Sequence, residues 1–562
     1  MKRLLLIFAA GVPLATACLP AAASAGTTGS AAVAASAGTA DSAAAAASAG
    51  TASSAAGPFT CSSVSVNAPA GTAVESVTAV RREAGTLTVQ PVPPFTEVVK
   101  IPDVPAYCDV TVTLTHPGVG DHAKVRIWLP ATGWTGRFQA VGGSAFAAGD
   151  YGAGLAGAIK SGYAAATTDA GVGTYLDAGW ALNSAGEVDT ALLKNFADRS
   201  QHEMAVVGKQ VVREVYGRPV SYSYWNGCST GGRQGYMEAQ RHPGDFDGIL
   251  ATAPAINWDE FEVATLWPQV VMNEENTFPS PCKFNAFNEA AVKVCDPLDG
   301  ARDGVVGDPA TCAFDPRRLI GESVECDSGR ETITAADAAV VRKIWAGPRT
   351  PSGRKLWSGI PIGAGFDLAG TRIDADGNRV GAPFPVPAIW VSTFLKRQPS
   401  YDLSTITYAE FAKLFEQSQA EYDTIIGTDD PGLSAFRRSG GKLLTWHGLA
   451  DQLIPAEGTV DYRRRVELAM GGARQVDDFY RLFLAPGVAH CAGDTSTGPK
   501  PTDALTAWVE QGKAPQTLSA AITDSSGKTV TRELCRYPSV SRYTGHGDPA
   551  DAGSYSCASA QR

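Results

Sequence analysis

Short apolar runs, ending in small residues and separated by mixed polar stretches, recur between about residues 105 and 280. "RFQAVGG", "YAAATTDA" and "DGILATAPA" each have the apolar character of a strand, and helical stretches lie between them. Strands alternating with helices predict an α/β sheet covered by helices on its faces. Two further apolar runs, "KLLTWHG" and "FYRLFLAPGVAH", come much later in the chain. The start is patterned differently. Lys2 and Arg3 precede "LLLIFAAGVPLA", and Ala23-Ser24-Ala25 has the small-residue spacing of a cleavage site. Residues 1–25 are therefore expected to be a secretory signal peptide. The apolar run is too short to cross a bilayer. "ATAC" at 15–18 leaves a lipid anchor on Cys18 as the alternative. Residues 26–57 are almost wholly Ala, Ser, Gly and Thr, with nothing large to bury, and are expected to be a disordered linker.

The segment "VSYSYWNGCSTGG" reads as strand, tight turn and helix. Gly227 and Gly231 flank Ser229 in a G-x-S-x-G frame, where a sharp turn leaves no room for side chains. Such a turn lifts the hydroxyl above the sheet, and the helix behind it offers backbone N–H groups to a developing oxyanion. A hydroxyl needs a base to act as a nucleophile at neutral pH, and histidine is the usual one. The chain has seven: His116, His122, His202, His242, His447, His490 and His546. In α/β-hydrolases the chain order is serine, acid, histidine, which removes the first three. His242 lies on the helix of the turn itself, and His546 follows no strand. His447 ends "KLLTWHG", and Asp451 sits in the loop after it, where the acid belongs. His490 follows the next apolar run, where the base belongs. The predicted triad is Ser229, Asp451 and His490.

Charge and cysteine content narrow the setting. A net charge of −10 argues against nucleic acid or an anionic membrane as partner. The 562 residues suffice for a large core and a second lobe. Beyond the expected cleavage site lie ten cysteines, at 61, 108, 228, 282, 295, 312, 326, 491, 535 and 557. An even count in an oxidising compartment suggests five disulfides. No C-x-x-C or H-x-x-x-H spacing occurs, which weighs against zinc. Cys228 directly precedes Ser229, and Cys491 directly follows His490. If serine and histidine meet, their cysteine neighbours fall near disulfide distance. The alternative is two buried free thiols.

"GCSTGGRQGYMEAQRHPGDFDGILATAPA", "GGKLLTWHGLADQLIP" and "GVAHCAG" together resemble the tannase/feruloyl esterase family of secreted serine esterases. The likeness runs from about Cys61 to Cys557. It implies an α/β-hydrolase core with a large inserted lid domain. The core is then 58–281 and 428–562, with the lid at 282–427. It also implies a Ser–Asp–His triad with a bridge at the positions of Cys228 and Cys491. The oxyanion donors it implies are the N–H of Thr230 and one at Gly142 or Gly143. Here the chain departs from the family's longer glycine run and reads "GGSAF". Pairs Cys61–Cys108, Cys295–Cys312 and Cys535–Cys557 follow from the resemblance, and Cys282–Cys326 follows by elimination.

In "CDPLDGARDGVVGDPATC", residues 295–312, Asp296, Asp299, Asp303 and Asp308 crowd among glycines. Close carboxylates repel unless a cation neutralises them, and hard oxygen ligands select Ca²⁺. The resemblance implies side-chain ligands Asp296, Asp299 and Asp303, with the carbonyls of Ala301 and Val305, around a structural ion. It implies as substrate a small aromatic ester, feruloyl or galloyl, or a plant polymer-linked ester. A serine peptidase on the same triad, or a calcium-stabilised binding module without activity, are the competing readings. Trp390, Phe394, Phe411 and Phe415 are candidates either for stacking an acyl ring or for the core.

Overall fold

The computed structural model describes residues 61, 64–93, 96–327, 329–491, 501–523 and 528–559. The expected signal peptide, its Cys18 alternative and the linker lie outside the described residues.

Ten strands form one sheet: β1 (Ala73–Arg82), β2 (Tyr107–Thr115), β3 (Ala123–Pro130), β4 (Arg137–Ser144), β5 (Ala147–Gly149), β6 (Ala164–Thr168), β7 (Tyr222–Cys228), β8 (Gly248–Thr252), β9 (Lys442–Gly448) and β10 (Tyr480–Ala485). Their spatial order is β1-β2-β3-β6-β4-β7-β8-β9-β10, with β5 paired to β4. The first three strands and the β3–β6 contact are antiparallel. Every neighbour from β6 to β10 is parallel.

Parallel strands are joined by helices that cover both faces, so their sequences read as continuous apolar runs. β6 ("AAATT") and β8 ("GILAT") are accordingly buried at every position. Adjacent residues part to opposite sides, as the period of two requires. Trp225, Ile249 and Leu443 enter one core with Phe138 and Tyr236. Tyr224, Leu250 and Leu444 enter the other with Trp446 and Trp508. The first core is closed by α2 (Ser200–Tyr216), α3 (Thr230–Arg241) and α4 (Glu457–Ala469). The second is closed by α1 (Ala153–Lys160) and α5 (Pro501–Gln511). This is an α/β-hydrolase core.

Between Thr252 and Lys442 the chain leaves this sheet. It forms helices Pro281–Cys295, Ala335–Ala346 and Tyr408–Tyr422, and two short hairpins, without adding a strand to the ten. The excursion starts with helix Trp258–Ala264, ahead of Cys282. Trp390, Phe394, Phe411 and Phe415 are at most 3% exposed and pack in the cluster that holds this segment together. Phe394 stacks on Phe146 and Trp390. Of the two readings of these aromatics, the core one fits: they are covered by one another. The ten cysteines pair as Cys61–Cys108, Cys228–Cys491, Cys282–Cys326, Cys295–Cys312 and Cys535–Cys557.

Candidate active site

Register brings three loops to one edge. Cys228 lies beside Thr252, and Thr252 beside Trp446. Gly448 lies beside Ala485. The loops after β7, β9 and β10 therefore leave the same carboxyl edge of the parallel sheet, where α/β folds place their sites. These loops carry Ser229, Asp451 and His490.

Ser229 occupies the turn with φ 61° and ψ −124°, a backbone region that side chains rarely adopt and that costs roughly 1–3 kcal/mol. Its surroundings hold it there. Its N–H donates to the Thr252 carbonyl at 3.1 Å, and its carbonyl accepts from Arg233 and Ala255. A Cβ on Gly227 would lie 2.5 Å from the Gly231 backbone, and one on Gly142 would lie 2.5 Å from the Gly231 Cα. The turn closes only without those side chains. α3 is itself anchored: the buried guanidinium of Arg233 donates to the carbonyls of Phe196 and Ala197.

Asp451 is fully buried and His490 nearly so. The Asp451 Oδ1 accepts the N–H groups of Leu453 and Ile454, at 3.0 and 2.8 Å. Its Oδ2 meets the Nδ1 of His490 at 2.8 Å. A carboxylate only accepts, so His490 carries its hydrogen on Nδ1 and leaves the Nε2 lone pair available. Burial pushes the Asp451 carboxyl upward. The charge of His490 and hydrogen bonds from His447 and His490 outweigh that and hold it far below the usual carboxylate range.

His447 ends β9 ahead of the acid, and its contacts suit a holding role. Its Nε2 lies 2.8 Å from the Ile454 carbonyl and 3.2 Å from the Asp451 Oδ2, while its Nδ1 meets the Thr459 hydroxyl at 2.9 Å. Both ring nitrogens are thus engaged in orienting the acid loop. Gln452 accepts the His490 N–H through its side chain. Sequence reasoning missed Thr459 and Gln452; a polar residue one or eight positions past an acid carries no pattern of its own.

The bond Cys228–Cys491, with Cα atoms 6.1 Å apart, links the residue before Ser229 to the residue after His490 across 263 positions. Closing so long a loop stabilises by about 5 kcal/mol in chain-entropy terms. The oxyanion candidates divide. Thr230 begins α3, and its hydroxyl donates to the Ala145 carbonyl at 2.7 Å, tying the helix start to the "GGSAF" loop. The Gly143 N–H, by contrast, donates to the Gln234 Oε1 at 3.0 Å. That leaves Gly142 as the expected glycine without this tie.

The acidic loop lies in a separate part of the chain, closed by Cys295–Cys312. The Asp296 Oδ1 accepts the N–H groups of Asp303 and Gly304, that of Asp299 accepts Ala301, and that of Asp303 accepts Val305. The Asp303 Oδ2 meets the Tyr555 hydroxyl and the buried guanidinium of Arg532. Burial raises Asp296 and Asp299 above the usual range despite their amide donors. A Cβ on Gly307 would lie 2.5 Å from the Asp299 Oδ2, so only glycine admits that carboxylate here. Carboxylates shaped by loop amides, with carbonyls between them, are a donor set that fits a hard cation.

A groove of about 980 Å³ runs between Trp357, α4 and Tyr537, and no triad residue lines it.

The family described as Tannase and feruloyl esterase matches residues 108–558. A probable feruloyl esterase of Arthroderma benhamiae is 48% identical over 509 residues, spanning 89% of this chain and 93% of that protein. Feruloyl esterase B of Aspergillus niger is 31% identical, spanning 80% of this chain and 86% of its own. Among solved structures, the tannin acyl hydrolase from Aspergillus niger superposes with a TM-score of 0.78 at 27% identity, covering 88% of this chain and 93% of that one. Feruloyl esterase B from Aspergillus oryzae gives 0.73 at 26% identity, covering 87% and 97%.

Proposed function

Because this chain belongs to the tannase and feruloyl esterase family and is a carboxylic ester hydrolase, we propose that it cleaves aromatic carboxylic esters through an acyl-enzyme on Ser229. The observation that carries the reading is the Asp451–His490 pair, bridged by Cys228–Cys491 to the strained turn of Ser229. His490 Nε2 takes the Ser229 hydroxyl proton as the oxygen adds to the ester carbonyl. Asp451 holds the Nδ1–H and balances the imidazolium that forms. The Thr230 N–H, with a second donor from the Gly142 loop, receives the oxyanion. The alcohol leaves with the proton from His490, and the acyl group stays on Ser229. Water then gives a proton to His490 and adds to the acyl carbon. Collapse returns the proton to Ser229 and releases the acid.

Feruloyl and galloyl esters, free or linked to a plant polymer, are the substrate class we assign, on the names of the relatives. Segment 282–427 is the lid. Asp296, Asp299 and Asp303, with the carbonyls of Ala301 and Val305, would hold a calcium ion whose role would be to fix the acidic loop, apart from the steps above. Five disulfides suit an exported protein. The test is a panel of methyl ferulate, methyl gallate, a terephthaloyl ester and an acetyl ester, run with the wild type and Ser229→Ala. Turnover of the aromatic esters that vanishes in the variant is expected. Turnover of the acetyl ester alone would defeat the substrate assignment, and activity surviving in Ser229→Ala would defeat the mechanism.

A further inference from the structure

The helix that starts behind Ser229 ends in a second cluster of ligating side chains. His242 caps the carboxyl end of α3, roughly 18 Å from its start at 1.5 Å per residue. His202 stands in the first turn of α2, and Asp245 lies in the loop that leads to β8. The two imidazoles stack with centroids 4.3 Å apart. The His202 Nδ1 meets the Asp245 Oδ2 at 2.6 Å. One ring nitrogen from each histidine and one oxygen of Asp245 all lie within 4.8 Å of one another.

Two buried groups bear on this trio. Glu238, one turn back on α3, is 1% exposed, and its carboxyl oxygens meet no N–H donor or cation. Its carboxyl faces that of Asp245. The Nε2 of His242 is buried and makes no hydrogen bond, lying 3.4 Å from the Asp198 Oδ2 without hydrogen-bond geometry. The acidic side chains of Asp198, Glu238 and Asp245 thus gather around the two imidazoles, with Lys209, Arg233 and Arg241 as nearby cations, and burial beside Asp245 pushes the Glu238 carboxyl well up. The carboxyl end of a helix adds partial negative charge to the same place. His202, His242 and Asp245 keep side-chain exposures of 38%, 22% and 16%, so an ion has access.

We propose that His202, His242 and Asp245 form a binding site for a zinc-class divalent ion that pins the far end of the nucleophile helix to α2. Two imidazoles and one carboxylate are the donor set of Zn²⁺ and its first-row neighbours, whereas the all-oxygen acidic loop suits Ca²⁺. The ligands come from two helices and a loop, 40 and 3 positions apart, which is why no spacing motif announces them. Stacked rings do not both point a nitrogen in plane at one ion. Binding therefore turns His242, whose Nε2 has a long 3.4 Å contact to the Asp198 Oδ2 to give up.

The test uses the full enzyme, stripped with a chelator and returned to calcium-containing buffer. Zinc chloride titrated calorimetrically should bind at one equivalent per chain and raise the melting temperature. His202→Gln and His242→Gln should each weaken binding about tenfold to a hundredfold, the scale of a disturbed metal shell. They should leave ester turnover near wild type, which also shows that they fold. His490→Gln should bind zinc as the wild type does, excluding the base of the triad as the ligand. Cobalt chloride added to the wild type, which needs no variant to fold, should give the visible absorption of a site with nitrogen ligands. Absence of zinc binding by the wild type, binding undiminished in both histidine variants, or X-ray absorption showing oxygen ligands alone would each overturn the site.

Discussion

Asp451 and the acidic loop are both crowded carboxylate sites, one fully buried and the other half-buried, and they treat negative charge in opposite ways. Around Asp451 two backbone amides and two imidazoles converge on one carboxylate, and its pKa falls although it is fully buried. In the loop, Asp296 and Asp299 receive loop amides as well, yet burial prevails and their pKa values rise. Burial alone does not decide the charge state; the number and charge of the donors does. The first site is complete within the protein. The second would be completed by a cation from outside, or by Arg532 from within.

The largest break in that comparison is at the complete site. Ser229→Ala and His490→Ala should each lower kcat by several orders of magnitude, with KM little changed. Asp451→Asn should fall nearly as far, since it releases His490 Nδ1–H. His447→Ala should cost less, because it removes one of four donors to Asp451. A His447→Ala loss larger than that of His490→Ala would reverse the assignment of the base.

The disulfide should come next. Ser229 is held by its own turn, but His490 rides on a loop tied to the loop after β9 by the Ala450 N–H to Val488 carbonyl bond and by Gln452. Without Cys228–Cys491 that loop has room to shift. A displacement of about an ångström costs on the order of a hundredfold in rate. Cys228→Ala with Cys491→Ala should therefore stay folded, by circular dichroism, while kcat falls by about that factor. Full activity in the double variant, or free thiols at both positions in active wild-type enzyme, would show that the bond positions nothing.

A third measurement concerns pH. The folded pKa of Asp451 is depressed, so its contribution to stability is present above the unfolded value, about 3.9, and is lost as pH falls through the folded value. At pH 7 Asp451→Asn should be less stable than wild type by about 1–3 kcal/mol, the cost of breaking a charged hydrogen-bond group. That gap should narrow as the pH drops below about 4. Denaturant melts at pH 7 and at stepwise lower pH check it; a gap of constant size down the series would mean that the ionised carboxylate is not what the loop stabilises.

The parts of this molecule that were legible in its sequence are those where one residue type at one spacing has one physical use. Gly227 and Gly231 around Ser229 announce a turn that no Cβ permits, and "AAATT" and "GILAT" announce strands covered on both faces. The order Ser229, Asp451, His490 followed from where apolar runs end. What stayed hidden depends on side chains meeting across the fold. Gln234 takes the Gly143 N–H from 91 positions away, and Arg532 reaches Asp303 from the C-terminal hairpins. The chain already leaves the sheet after β8 into helix Trp258–Ala264, which no residue type announces, whereas Cys282 offers a visible mark.

The smallest expected effect tests the incomplete site. If calcium neutralises Asp296, Asp299 and Asp303, the folded protein binds it and the unfolded chain scarcely does, so occupancy adds RT ln(1 + [Ca²⁺]/Kd) to stability. At a hundredfold excess over Kd this is about 2.7 kcal/mol. Spread over the large unfolding entropy of some 500 ordered residues, it moves Tm by only about 2–3 °C. Excess chelator should lower Tm by that amount, and calcium, not magnesium, should restore it, because the loop offers several oxygens and little rigidity. Ester turnover at low temperature should survive, since no triad residue touches the loop. The competing outcome is specific: Arg532 already contacts Asp303 and stacks on Tyr555, so an internal cation could serve instead. In that case chelation would leave Tm unchanged, elemental analysis would find no calcium, and Arg532→Met would lower Tm more than any chelator. The two results cannot both appear, and either one says which cation the acidic loop was built around.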